Sequence, residues 1–176
     1  MNAAVIVSLV GQKPGRPPTE RLLVDVQLRN DDQEARWVLF PSIVPTTGGG
    51  VDKLEQLTAK AGSSTVAVGR LLGTGGRYAV RLGPGARVTL RKLEVSWWHE
   101  DGTIKELALE VQLAGKVTAG AEDLVTWFDK DPTINGAAEV DMESAQHTAS
   151  HRAPDDKEQA LTAAAARTET IKLATP

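Results

Sequence analysis

The sequence predicts an all-β chain: an antiparallel β-sandwich followed by a largely disordered C-terminal tail with room for one short helix. Three observations carry that expectation. Residues 77–113 read as strand, Gly-Pro-Gly turn, strand, Asp-Gly turn, strand, with an apolar period of two rather than 3.6. Short strands of this kind recur along residues 1–130 with turn signals between them, the spacing of a sandwich. From Asp131 onward, branched and aromatic residues nearly vanish and Ala, Thr, Asp and Glu dominate. Such a segment has little apolar area to offset its chain entropy. The expected organisation is therefore a sandwich domain over 1–130 and an acidic, Ala/Thr-rich tail over 131–176.

Each element follows from its local pattern. The opening MNAAVIVSLVGQKPG lacks the basic n-region and cleavage site of a secretory signal, so Ala3 to Val10 is expected to be a first strand. GQKPGRPPT at 11–19 reads as a loop. Over 22–29, Leu22, Val24, Val26 and Leu28 alternate with Leu23, Asp25, Gln27 and Arg29, and Asn30-Asp31-Asp32 supplies a turn. ARWVLF at 35–40 is the third strand, and Pro41 and Pro45 at its end favour an edge position. Residues 51–61 fit a short helix or one arm of a hairpin turning at 61–64; the β neighbours favour the hairpin. A strand at 65–72 follows, then the loop 73–76, then Tyr78, Val80 and Leu82 pointing inward with Arg77, Ala79 and Arg81 outward.

The next strand, 86–98, changes phase. Val88 and Leu90 are apolar at even positions, Leu93, Val95 and Trp97 at odd ones. A one-residue slip swaps faces, so a β-bulge or bend is expected near Arg91-Lys92. Beyond Asp101-Gly102, Leu107, Leu109, Val111 and Leu113 face inward, with Glu106, Glu110 and Gln112 outward. Within the tail, 154–167 carries helix-end signals, Pro154 and acids at its start and Arg167 at its end. The whole pattern resembles immunoglobulin-like sandwiches at the level of a superfold, and such a likeness carries no function.

The chain of 176 residues has no cysteine, which excludes disulfides and thiolate metal sites and fits a reducing, cytoplasmic setting. No run approaches the roughly 20 apolar residues of a membrane helix. The net charge of −3 is unevenly spread: residues 1–55 balance at −1, 56–93 at +7 and 94–176 at −9. The middle block holds Lys60, Arg70, Arg77, Arg81, Arg87, Arg91 and Lys92 and no acid.

No motif points to a cofactor, a metal or a reaction. The glycines at 48–50 and 73–76 do not lead from a strand into a helix with Lys-Ser or Lys-Thr, as a phosphate cradle needs. No serine lies in a G-x-S-x-G elbow. His99 beside Glu100 and Asp101 reads as turn chemistry, and His147 and His151 as surface residues of the tail. Arginines that alternate with core residues in an acidic chain, without stacking aromatics, argue against nucleic acid.

The expected function is a non-catalytic protein-interaction or assembly module, bound to a partner protein or to itself. Its contact residues would be the basic strand face (Arg70, Arg77, Arg81, Arg87, Arg91) and the aromatic anchors Trp98, Trp127 and Phe128. Charge would set orientation, against a partner's acids or the chain's own tail, and the aromatics would supply affinity. EDLVTWFDKD at 122–131 either docks Leu124 and Trp127 on the domain, the favoured reading, or presents Trp127 and Phe128 to a partner groove. The alternative function is a small-ligand or carbohydrate-binding domain that uses Trp98 and the loops beside it.

Overall fold

The strict alternation over 22–29 does what it dictates: Val24, Val26 and Leu28 are fully buried while Leu23, Asp25, Gln27 and Arg29 stay half-buried on the other face. A computed structural model describes residues 5–14, 21–41, 53–72, 77–96, 107–119, 122–128, 130–144, 146–152, 161–164 and 167–173. In chain order the strands are β1 (Val5–Pro14), β2 (Arg21–Asn30), β3 (Arg36–Pro41), β4 (Lys53–Ala61), β5 (Ser64–Leu72), β6 (Arg77–Leu82), β7 (Arg87–Ser96) and β8 (Leu107–Ala114). There follow β9 (Lys116–Ala119), β10 (Glu122–Asp123), one helical turn α1 (Leu124–Trp127), β11 (Ala137–Asp141) and a 3-10 turn (Met142–Ser144). The last three are β12 (Gln146–Arg152), β13 (Leu161–Ala164) and β14 (Arg167–Leu173).

Eleven strands form one hydrogen-bonded sheet in the order β1-β2-β7-β11-β4-β5-β6-β3-β8-β14, with β12 attached to β4. All its described pairings are antiparallel except β7 with β11. The inward side chains of β2 through β8, β11 and β14 share one core, including Leu28, Phe40, Val68, Leu82, Leu90, Val111, Val140 and Leu173. One core for so many strands requires the sheet to curl, and its end strands β1 and β14 come within 8 Å at Cα. The all-β expectation therefore holds. A second sheet, β10-β9-β13, lies apart in the hydrogen-bond pattern.

Strand β3 is apolar on both alternations because both its faces are covered. Val38 and Phe40 enter the main core; Trp37 and Leu39 enter a second one with Ala79, Ala114, Val117, Leu124 and Phe128. Two corrections follow. β3 lies between β6 and β8 rather than at an edge, since Pro41 is its final residue and interrupts no ladder. Ala79, expected outward, is buried under the second core.

The hairpin reading of 51–61 holds for the described part: β4 and β5 pair along their lengths around Gly62-Ser63, with Gly62 at φ +59°. Glycine first in a two-residue turn suits a type II′ hairpin. Residues 11–14, read as loop, instead continue β1 alongside β2, where an end strand tolerates Pro14.

The expectation of a disordered tail is corrected. Residues beyond 131 supply β11, β12, β13 and β14, and Leu161–Ala164 is a strand where a helix was expected. Composition misled because these segments need no core of their own. Each adds main-chain hydrogen bonds to an existing strand, and Ile134, Val140 and Leu173 drop into the body's core, 5%, 0% and 6% exposed.

Candidate functional site

Asn30 looks in sequence like an ordinary turn residue, yet it is completely buried. Its Nδ2 donates to the carbonyls of Glu34 (2.9 Å), Leu82 (3.1 Å) and Gly83 (3.0 Å), and its Oδ1 accepts from the Asp32 amide at 3.0 Å. Its amide donates to Ala86 O and its carbonyl accepts from Gly85 N, both at 2.9 Å. One side chain thus locks the turn after β2 to the Gly83-Pro84-Gly85 turn between β6 and β7. Gly85 sits at φ +69°. Gly83 lets the Asn135 side chain lie close: a Cβ there would stand 2.1 Å from Asn135 Oδ1 and push that exposed side chain aside.

Along β2 from this lock, Asp25 is flanked by irregularity on both sides. On β7 the register slips so that Arg91 and Lys92 together oppose it; on β1 the slip leaves Val10 extra. The bulge expected at Arg91-Lys92 is present, with Lys92 left-handed at φ +56°. Asp25 Oδ1 accepts the Lys92 amide at 2.8 Å and Oδ2 accepts Arg91 Nη1 at 3.0 Å. Above these residues lies an open cleft of about 770 Å³ lined by Gly11, Asp25, Lys60, Arg91, Glu139 and Asp141, among others. Sequence reasoning missed Asn30, Asp25 and the cleft; the phase change in β7 was the one signal available.

The segment 131–143 lays its acids on the basic strands. Arg81 pairs with Asp131 at 3.2 Å and donates to the Thr133 hydroxyl. Arg91 Nε reaches Glu139 Oε1 at 3.1 Å, and Lys92 Nζ reaches Asp141 at 3.1 Å and Glu143 at 2.7 Å. Glu139, then Asp25, raise the Arg91 guanidinium above its ordinary range, and Glu143 with Asp141 does the same for Lys92. Hydrogen bonds from the Thr133 hydroxyl and amide, with Arg81 alongside, hold the Asp131 carboxyl below the usual range. Burial pushes Asp141 up, but Lys92 and the Glu143 amide outweigh it and the net shift is downward.

The sequence-predicted contact residues therefore scatter. Arg81 and Arg91 meet carboxylates of their own chain. Arg87 is exposed, and no described residue pairs with its side chain. Arg70 and Arg77 lie on β5 and β6, paired with Glu55 and with Pro41, but their side chains lie outside the described residues. Trp98 lies outside the described residues, as do Trp97, His99 and the glycines at 48–50 and 73–76. Trp127 closes α1, a turn capped by Asp123 accepting from Val125 N, and its side chain is likewise outside them. Phe128, offered as an exposed anchor, is 5% exposed against Leu124 and the second core, so its ring is already covered by this chain. The backbones of His147 and His151 lie on β12, opposite Leu57 and Leu54.

Among the described residues no group of three or more His, Asp or Glu is placed to hold a metal ion. No described helix is long and apolar enough to cross a membrane. No known protein family, curated protein or solved structure matches the chain.

Proposed function

We propose that the chain is a non-catalytic protein-interaction or assembly module on an immunoglobulin-like sandwich frame, working in the cytoplasm. The observation that supports it most is β1, which ends the sheet path and exposes Ile6 at 39% and Val10 at 49%. These are the exposed large apolar side chains among the described residues. Ile6 stands opposite Arg29, and Arg29 opposite Arg87, so apolar and basic groups share one outward face. Apolar side chains rimmed by charge are the usual ground for protein contact. The charge pattern agrees: acids of 131–143 neutralise Arg81, Arg91 and Lys92, so an acidic segment laid on this basic face is an arrangement the chain already uses.

The test is quantitative capture from source-cell lysate with full-length protein and an Ile6→Thr/Val10→Thr variant, which keeps strand propensity. The module reading predicts a stoichiometric partner, or self-association in the pure protein, that weakens in the variant. Neither partner nor self-association above an unrelated control protein would reject it.

The second reading, a small-ligand domain, draws its support from the cleft rather than from Trp98. Paired bulges around Asp25 and a left-handed Lys92 are a local strain of the kind that gathers at ligand sites. A small charged ligand, such as an amino acid, would meet Lys60 and the Asp25–Arg91 pair there. Thermal-shift screening against charged metabolites, with Lys60→Ala as the control, separates the two readings.

A further inference from the structure

Arg29 and Arg87 are directly opposed across β2 and β7, both on the outward face. Like charges in that position repel each other and weaken a sheet. Elsewhere on this face the chain answers each described strand cation of residues 81–92 with a carboxylate: Asp131 for Arg81, Asp25 and Glu139 for Arg91, Asp141 and Glu143 for Lys92. Arg87 is the exception. Arg29 has one carboxylate, Asp31 at 2.8 Å, and its Nε is buried with no hydrogen-bond partner.

The backbone that carries the pair is hydrogen-bonded on both sides. Arg29 precedes Asn30 and Arg87 follows Ala86, and the Asn30 amide donates to Ala86 O. The same residue's buried side chain fixes the turn beneath both. On the far side, the Arg87 amide donates to Gly136 O at 2.8 Å, which starts the parallel ladder with β11. The backbone at both positions is thus fixed, and the two arginines project from directly opposed places in the ladder. Ile6 extends the row on one side and Ala137 on the other.

We propose that the Arg29–Arg87 pair is a docking point for an acidic, extended peptide segment of a partner protein, whose carboxylate bridges the two guanidiniums while its apolar neighbour covers Ile6. This rests on the interaction-module reading and names the partner's chemistry. A carboxylate is the favoured occupant, because Glu139 and Asp141 on strand β11 already bring carboxylates to Arg91 and Lys92 of the same β7. Guanidinium groups take carboxylates in a forked geometry, which fixes register as well as charge.

The experiment is fluorescence anisotropy of a labelled deca-glutamate peptide at low salt, with a Gly/Ser peptide and a ten-nucleotide single strand as comparisons. Full-length wild type, Arg87→Gln, Arg29→Gln and Lys130→Gln are titrated. Lys130 is an exposed cation outside the β2–β7 ladder that carries the pair. The acidic peptide is expected to bind and the Gly/Ser peptide not. Arg87→Gln and Arg29→Gln each weaken binding about threefold to fivefold, the scale of one exposed charge pair. Lys130→Gln leaves it unchanged. Arg87→Gln melts no lower than wild type, because it removes a like-charge pair.

Three results overturn the proposal: no peptide binding, equal loss in Lys130→Gln and Arg87→Gln, or tighter binding of the oligonucleotide than of the peptide. Arg87→Gln is also carried through the lysate capture. A partner retained by Arg87→Gln but lost from Ile6→Thr/Val10→Thr rejects the acidic occupant and leaves the module reading standing.

Discussion

Asp25 and Lys92 meet across a bulge: the Lys92 amide, in a left-handed backbone conformation, donates to Asp25 Oδ1 at 2.8 Å. That bond replaces the ladder partner the bulge removes, and the same carboxylate holds Arg91 through its other oxygen at 3.0 Å. Asp25→Ala should therefore cost about 1–3 kcal/mol, the range for stripping a partly buried donor of its partner. Asp25→Asn, which keeps an acceptor oxygen, should cost less. Urea unfolding of the two variants checks the order. Equal losses would mean that the side chain's volume, not its hydrogen bond, supports the bulge.

Asn30 carries a larger share of the fold. Replacing it with Leu buries the Leu82 and Gly83 carbonyls without the donor they now share. At about 1–3 kcal/mol for each buried group left unpaired, the loss should reach about 3 kcal/mol or more. That corresponds to a melting temperature lower by about 6–12 °C in a chain of this size. Asn30→Asp retains the acceptor to Asp32 N but turns the donor into a charge facing carbonyls, and should be no better. A melting temperature within 2 °C of wild type for Asn30→Leu would show that waters replace the amide.

How much of this was readable beforehand depends on range. The alternation of Val24, Val26 and Leu28, the hairpin at Gly62 and the bulge at Arg91-Lys92 were legible, because period and turn chemistry act over a few residues. Asn30 was not. A turn-forming Asn and a buried Asn have the same local sequence, and its partners Leu82 and Gly83 lie 52 and 53 residues away. Ala137–Asp141 looked too poor in apolar residues to fold, since nothing local says that β7 offers it a parallel edge and the core a place for Val140. The charge split between 56–93 and 94–176 hinted at the ion pairs of Arg81, Arg91 and Lys92 without giving their register. Arg87's isolation emerges only once those pairs are known.

Stability should fall at acid pH, and the sign follows from the aspartates. Asp32, Asp131 and Asp141 have folded pKa values lowered below the unfolded one, the first chiefly by its bond from Arg36. In the acid range the unfolded chain binds more protons than the folded one, so stability rises with pH there. Their contribution is complete above about pH 4, the unfolded aspartate value, and is lost as pH falls through the lower folded values. Lys92 is raised, so its contribution is present below about pH 10 and lost only as pH rises through its folded value; Arg91, raised likewise, stays charged throughout that range. Melting temperatures should be flat between those limits. Asp131→Asn should lower the plateau and flatten the acid limb; an unchanged limb would place the acid sensitivity elsewhere.

Cutting the chain after residue 130 should do more than remove a tail. It takes Ile134, Val140 and Leu173 out of the main core. Burial of side chains of this size contributes about 1.5–3 kcal/mol each, so the three together approach the whole stability of an ordinary domain, about 5–15 kcal/mol. The cut also removes β11 from between β7 and β4, which opens ladder edges in the middle of the sheet, and β14 from beside β8, which bares β8 at its end. Unpaired edges of that kind recruit other chains. The 1–130 fragment is therefore expected to lose its cooperative thermal transition and to elute as aggregate in size-exclusion chromatography. A monomeric fragment with a transition near that of the full chain would show that the first 130 residues fold alone and that the later strands only decorate them. In that case the ion pairs of Arg81 and Arg91 with Asp131 and Glu139 become a detachable clasp rather than part of the frame.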